Sequence, residues 1–256
     1  MNNFPWQAFL NAINGLEAEK RPKMWCGSYK SKEDMNKQIS IDEYPLEMPL
    51  NYVPSPDPVR FSMLYNLLKD GNNETLNKTN KPIKILELGG GAGEAYNTVK
   101  NLNTIEYDII ETPQMVKFGK KKTPLANWID IDCYIGQKET SHIKEIDIFY
   151  TRASMQYLDN YSDFLSKLLS FSKPKVLLFE HANFSAKETY WSCQKYCEKD
   201  IPWCWINVED FKTQIKNHGY SIKEEKIIDY QITGRTQDIE LELISDNVLD
   251  ISFIKD

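Results

Sequence analysis

A chain of 256 residues with 41% apolar content is long enough to bury a normal core as one α/β domain with an added segment. Its 31 basic and 37 acidic residues leave a net charge of −6 and no extended basic face, which argues against a nucleic-acid partner. No apolar run approaches the roughly 20 residues that span a bilayer and no signal-peptide pattern opens the chain, so a cytoplasmic location is expected.

The first 80 residues do not read as part of a sheet. Phe4, Trp6, Phe9, Leu10 and Ile13 form an amphipathic helical stripe with a polar face that is not basic, suited to packing or to self-association as a homodimer. An aromatic pair follows around a glycine, Trp25-Cys26-Gly27-Ser28-Tyr29. Three prolines within Asn51–Pro58 rule out a helix interior there. Val59–Leu68 reads as a helix and Asp70–Asn80 as a polar linker.

At Ile83, Ile85, Leu86 and Leu88 a strand pattern begins, and it stops abruptly at Gly89. Gly89, Gly90, Gly91 and Gly93 then allow a tight turn whose backbone can touch a ligand, and Glu94–Leu102 reads as a helix. Strand, glycine turn and helix open nucleotide-binding doubly wound sheets. The spacing is Gly-x-Gly-x-Gly, with Glu94 where the third glycine of a dinucleotide fingerprint falls. Glu87, two residues before the first glycine, fits the sulfonium and amino group of S-adenosylmethionine better. A second strand, Ile105–Ile110, ends in Glu111, placed to accept both ribose hydroxyls. Pro113, Met115 and Val116 suit an adenine face or a helix core.

Trp128–Tyr134 gives a third strand pattern with Asp130 and Asp132, either of which suits the adenine amine. Ile146–Tyr150 and Lys175–Glu180 give a fourth and a fifth, with a helix at Tyr161–Phe171 between them. The alternation predicts a mostly parallel sheet. Val208–Asn217 is a helix closed by Gly219. Tyr220–Tyr230 and then Ile239–Ser245 or Val248–Ile254 read as a terminal antiparallel pair, the methyltransferase variant of the fold. The expected architecture is therefore a Rossmann-like class I methyltransferase fold with a seven-stranded sheet and a helical N-terminal extension. Residues 81–256 form the cofactor-binding domain, and residues 1–80 a segment contributing to the acceptor site.

In order and spacing the chain resembles the S-adenosylmethionine-dependent methyltransferases of bacterial surface-polysaccharide (O-antigen and capsule) gene clusters. The matching residues are Trp25-x-Gly27-x-Tyr29, Ile85-Leu86-Glu87-Leu88-Gly89-Gly90-Gly91-x-Gly93 and Glu111-x-Pro113-x-x-Val116-x-x-Gly119. Ser154-x-Gln156-Tyr157-Leu158, Gln194 and Ile201-Pro202-Trp203-Cys204-Trp205 continue the match. The resemblance implies methyl transfer from S-adenosylmethionine, leaving S-adenosylhomocysteine, to a small-molecule or glycan-precursor acceptor. Glu87, Gly89, Gly91 and Glu111 carry over as cofactor contacts, with Gly90, Gly93, Thr112 and Ser154 beside them. Glu180-His181-Ala182-Asn183 departs from the aspartate-arginine-threonine-proline run of the family, so no role carries over to that loop.

A hydroxyl acceptor loses its proton as it attacks, and a positioned base contributes roughly 100- to 10,000-fold. Among His142, His181 and His218, His181 alone follows a strand's carboxyl end and is the candidate base, with Tyr157 second. Its alternative is a structural histidine. Arg152 suits an anionic acceptor such as a phosphate, phosphoramidate or uronate. Trp25, Tyr29, Gln156, Gln194, Trp203 and Trp205 are the remaining acceptor-site candidates, with core packing as the alternative for each tryptophan. No carboxylate cluster follows strands four and five, so a metal-independent reaction is expected. Cys26, Cys133, Cys193, Cys197 and Cys204 are odd in number and irregularly spaced, which favours reduced thiols. Two rivals stand beside the methyltransferase: a nicotinamide-dependent oxidoreductase and a non-catalytic cofactor-binding scaffold.

Overall fold

The computed structural model describes residues 25–40, 51–70, 76, 81–136, 145–196, 199–228, 236–237 and 244–256. The stripe at Phe4–Ile13, His142 and Cys197 lie outside the described residues. In chain order the elements are β1 (Trp25–Tyr29), α1 (Lys32–Gln38), α2 (Ser62–Lys69), β2 (Ile83–Leu88), α3 (Glu94–Val99), β3 (Ile105–Glu111), α4 (Pro113–Lys122) and β4 (Asn127–Asp130). They continue with α5 (Ile131–Gly136), β5 (Ile148–Arg152), α6 (Tyr161–Lys167), β6 (Val176–Ser185), β7 (Tyr190–Tyr196) and β8 (Lys199–Asn207). Last come α7 (Val208–Lys216), β9 (Tyr220–Ile228), β10 (Thr236–Gln237) and β11 (Ile244–Lys255).

The chain divides into two compact units whose segments interleave along it. The larger comprises Leu46–Asn183, Val208–Ile228 and Val248–Asp256. Its seven strands run in the order β9-β11-β6-β5-β2-β3-β4. Strands β4, β3, β2, β5 and β6 pair in parallel. β11 pairs antiparallel with β9, so the expected terminal antiparallel pair is present, on the later of the two alternatives.

Alternation along the strands divides the core. Ile85, Ile109, Ile148, Tyr150, Val176 and Leu178 pack with Leu64, Leu68, Val99 and Val116 from α2, α3 and α4. Phe149 and Phe179 carry an aromatic cluster instead. Phe149 meets Phe164 of α6 at 6.0 Å between ring centroids, and Phe179 meets Phe211 of α7 at 4.8 Å and Phe253 of β11 at 6.0 Å. A sheet covered on both faces explains why its parallel strands read as continuous apolar runs.

The third strand is shorter than expected and ends at Asp130, with Asp132 in the helix that follows. The physical reason is local: the Asp130 carboxylate accepts the Asp132 backbone N–H at 2.9 Å, so it caps a turn where the apolar pattern alone runs on.

The smaller unit comprises Met1–Pro45, Phe184–Asn207 and Asp229–Asn247. Its strands run β10-β1-β7-β8, followed by the end of β6 through Phe184↔Ile206. The aromatic segment from Tyr190 to Trp205 is thus an antiparallel pair, β7 with β8. The expected front end held a helix and extended chain, whereas Trp25–Tyr29 is a strand opposite β7.

Candidate active site

The parallel register brings the carboxyl ends of the central strands level. Leu88 pairs with Ile110 and Thr151, Glu111 with Asp130, and Arg152 with Glu180. The Thr151 hydroxyl donates to the Leu88 carbonyl at 3.1 Å, and the Ala153 N–H to the Glu180 carbonyl at 3.1 Å. The glycine turn after β2, the loops after β3 and β5 and the stretch of β6 just beyond Glu180 therefore lie along one edge of the sheet, where such folds bind ligands.

Gly89 has φ of 74°, and a Cβ there would lie 2.1 Å from the Ser154 Oγ. Only glycine permits both the backbone angle and the approach of the loop after β5. The Ser154 hydroxyl itself donates to the Arg152 carbonyl at 2.9 Å. The far side of the turn is braced by Thr123, whose hydroxyl donates to the Ala92 carbonyl at 2.7 Å. The Thr123 carbonyl accepts the Trp128 indole N–H at 3.1 Å, and Gly119 lets that indole lie against α4, since a Cβ would stand 2.2 Å from it. Gly119 is thus a packing residue, and the brace explains the spacing from the turn to β4.

Three carboxylates surround the turn. Glu87 is buried below Gly90 and accepts the Tyr107 hydroxyl at 3.0 Å. Burial pushes its pKa up to about 8 against the Tyr107 hydrogen bond, with repulsion from Glu94 and Glu111 adding to the rise. Glu111 accepts the Gly91 N–H at 2.9 Å on one oxygen and the Thr112 N–H at 2.9 Å on the other. Burial raises it to about 7, opposed by those two hydrogen bonds. Glu94 accepts the Ala92 N–H at 3.0 Å and the hydroxyl of Tyr52. Glu94 and Tyr52 were not among the expected site residues. The signal for Glu94 was its place at the end of the glycine run; for Tyr52, 42 residues upstream, there was none.

At the end of β4, Asp130 is half-buried beside Glu111, while Asp132 is exposed on α5. Thr112 is exposed at the start of α4.

Two residues at this edge are left-handed without being glycine: Ala153 at φ 50°, first in the loop after β5, and His181 at φ 55°, which lies within β6 because that strand runs on to Ser185, past its expected end at Glu180. Such backbone costs about 1–3 kcal/mol and persists where surrounding contacts fix it. For His181 the fixing contact is Asp250 of β11, whose carboxylate accepts the His181 N–H at 2.7 Å. Burial, then the nearby charges of Arg152 and Arg60, lower the imidazole pKa to about 4. His181 is therefore neutral at pH 7, able to accept a hydrogen bond and weak as a base.

Arg152 donates from Nε to the Arg60 carbonyl at 3.0 Å. Burial and the Arg60 charge lower its pKa; Tyr150, Glu180 and Asp250 act in the opposite sense. Among the described residues neither Arg60 nor Arg152 forms an ion pair. Glu180 is engaged elsewhere: it accepts the Ser62 hydroxyl and the Met63 N–H, both at 3.0 Å, and the Tyr150 hydroxyl. It thereby caps α2, which has no side-chain cap of its own.

Gln156 is buried and donates to the Ala153 carbonyl at 2.6 Å, holding the loop after β5, and Tyr157 beside it is half-buried. Trp25, Tyr29, Gln194, Trp203 and Trp205 belong to the smaller unit. There Trp25 pairs with Gln194 across β1 and β7, and Gln194 is buried. Trp205 is wholly buried, stacked on Tyr190 at 6.0 Å and 12°, with Trp203 at 5.9 Å. His218 is half-buried before Gly219, its backbone N–H donating to the Ile215 carbonyl at 3.1 Å.

Among the described residues no three His, Cys, Asp or Glu side chains converge as metal ligands do. Nor is any helix among them long and apolar enough to cross a membrane. A hollow of about 340 Å³ lined by Lys84, Glu106, Asp108 and Asn127 sits at the amino ends of β2–β4 and contains none of the expected site residues.

No family model matches the chain, and no curated protein sequence does. Among solved structures it is similar to a Listeria monocytogenes protein assigned as an S-adenosylmethionine-dependent methyltransferase, with 12% identity and a TM-score of 0.52 over 76% of this chain and 99% of that one. It is also similar to CalS10 of Micromonospora echinaspora, an amino pentose methyltransferase of calicheamicin biosynthesis with S-adenosylmethionine bound (10% identity, TM-score 0.48, 76% and 90% covered). A third likeness is to the N-terminal domain of EvdMO1 with S-adenosylhomocysteine bound (12% identity, TM-score 0.49, 86% and 92% covered). The first of these, with the strand order above, establishes the expected class I methyltransferase fold.

Proposed function

We propose that the protein is an S-adenosylmethionine-dependent O-methyltransferase acting on a sugar, or on a sugar- or nucleotide-linked phosphate or phosphoramidate, in surface-polysaccharide biosynthesis. The observation that carries this reading is the ring of Glu87, Glu94 and Glu111 around the glycine turn. Repulsion among these groups favours a ligand with positive charge. A sulfonium and an ammonium meet that requirement, whereas the pyrophosphate of a dinucleotide adds negative charge to the same place.

When bound, the cofactor supplies an electrophilic methyl carbon. The chain's own residues do the rest. Glu111 presents its carboxylate at the end of β3, where ribose hydroxyls would meet it. The Gly91 N–H holds that carboxylate in place, and Tyr52 and the Ala92 N–H hold Glu94. At the acceptor end, Arg60 and Arg152 favour an oxyanion, since two neighbouring guanidiniums are stabilised by a charge of opposite sign. A neutral His181 orients an acceptor by accepting a hydrogen bond. An acceptor oxygen already negative needs no stronger base, and positioning then carries most of the rate. Tyr157 and Gln156 follow in the same loop.

Calorimetry with S-adenosylhomocysteine and with NAD tests the cofactor assignment. Heat with the first alone is expected; heat with NAD alone overturns it. Transfer of labelled methyl groups to neutral sugars and to sugar phosphates or phosphoramidates then tests the acceptor. Arg152→Gln is expected to raise KM for the anionic acceptors by roughly 10- to 100-fold, the loss of one charge-assisted pair. Cofactor binding without turnover on any acceptor would favour the scaffold reading.

A further inference from the structure

We propose that Cys26 and Cys193 form a reversible dithiol–disulfide pair that fastens β1 to β7. The two residues are direct partners in the antiparallel register of these strands. Residues directly opposite across such a pair point to the same face, with Cα atoms about 4.5–5.5 Å apart, inside the 4.4–6.8 Å range of disulfides. Both are present as thiols, and the Cys26 Sγ lies 3.8 Å from the Cys193 carbonyl, to which it donates. The contact between the side chains is also visible in the Cys193 thiol, whose pKa is raised first by the Cys26 thiol and then by burial. The Ser192 hydroxyl donates to the Cys26 carbonyl at 3.2 Å, so the strands are tied again beside the pair.

Exposure sets the order of events. Cys26 is half-buried and Cys193 only 1% exposed, so an oxidant meets Cys26 first. With a small disulfide as oxidant, the Cys26 thiolate attacks one of its sulfurs, that S–S bond breaks, and one small thiol leaves with a proton. The Cys193 sulfur, giving up its proton to the departing group, then attacks the Cys26 sulfur of the mixed disulfide, that S–S bond breaks, and the second small thiol leaves carrying the proton. Two protein thiols have lost two electrons and two protons, and the small disulfide has become two thiols. Cβ atoms of directly opposed strand residues stand about 4.5–5.5 Å apart, against about 3.5–4.5 Å in a relaxed disulfide, so the bond forms under strain. Strained disulfides are the readily reduced ones, which makes this pair a responsive link and not a permanent staple. Nothing in the inference depends on methyl transfer.

The test is a peptide map of the full chain, treated under native conditions with oxidised glutathione and digested without reductant. The expected product is a Cys26–Cys193 cross-link, lost on adding dithiothreitol, while exposed Cys133 takes up glutathione without cross-linking. Cys193→Ser is expected to accumulate the Cys26–glutathione adduct at least about tenfold over the unaltered chain, because the resolving thiol is gone. Separate adducts at Cys26 and Cys193, or Cys26 linked instead to Cys197 or Cys204, would overturn the proposal. The map of the unaltered chain decides the matter even if the variant does not fold.

Discussion

Glu87 sits where the fold opposes its own ionisation. Its pKa is 4.5 by the reference value and about 8 in the folded chain, so between those values the folded protein holds a proton that the unfolded chain has released. Stability from this group is therefore complete below about pH 4.5 and is lost as pH rises through 8. The expected outcome for the unliganded protein is a loss of at least about 1 kcal/mol between pH 5 and pH 8 in urea unfolding. Glu87→Gln should flatten that slope; an unchanged slope would assign the effect elsewhere. At His181 the imidazole, with a pKa of about 4, is neutral throughout pH 6–9. Turnover should accordingly show no histidine limb near pH 6.5, and a limb there would contradict the lowered value. His181→Gly, which relieves the positive φ, should be more stable than His181→Ala by roughly 1 kcal/mol. Comparing the two separates the backbone's role from the ring's. Glu87, the glycines and Glu111 were legible in the sequence because each stands at a fixed offset from a strand end. The burial that sets the Glu87 and His181 titrations was not, because it depends on neighbours such as Tyr107 and Arg60 that no local spacing indicates.

Helix α2 depends on a residue of β6. Glu180 lies 117 residues after Met63, yet it accepts the Met63 N–H in the first turn of the helix and the Ser62 hydroxyl. Glu180→Ala leaves both donors and the buried Tyr150 hydroxyl without that acceptor, and should cost about 2–4 kcal/mol, measured by the urea midpoint. Glu180→Gln keeps an acceptor and should cost less. Phe179, one residue earlier, points to the aromatic cluster with Phe149, Phe211 and Phe253, and Phe179→Ala should cost about 3–5 kcal/mol. The strands β2, β3, β5 and β6 could be read because burial on both faces leaves unbroken runs such as Ile148-Phe149-Tyr150. β7 and β8 could not. Their sequence mixes tryptophan, cysteine, serine and a proline, and a rich aromatic content suits a ligand-facing roof as well as a strand. Pairing with β1, far away in the chain, is what decides it.

In the larger unit β11 lies between β6 and β9, with Ile251 and Phe253 wholly buried and Asp250 bound to the His181 N–H. A chain ending at residue 247 should therefore lose cooperative unfolding altogether, seen as a broad transition in calorimetry, since the strand that joins β9 to the rest of the sheet is missing. The interleaving of the two units was invisible to sequence reading, which has no measure of contact between segments nearly 200 residues apart.

That interleaving has a consequence for synthesis. A ribosome delivers β1 long before β7, for 167 residues separate Cys26 from Cys193. At about 5–20 residues per second the leading strand waits roughly 8–30 s for its neighbour. Throughout that interval a tryptophan- and tyrosine-bearing edge waits without its strand neighbour, so production in bulk should respond more to chaperone supply and to lower growth temperature than the stability of the finished molecule would indicate.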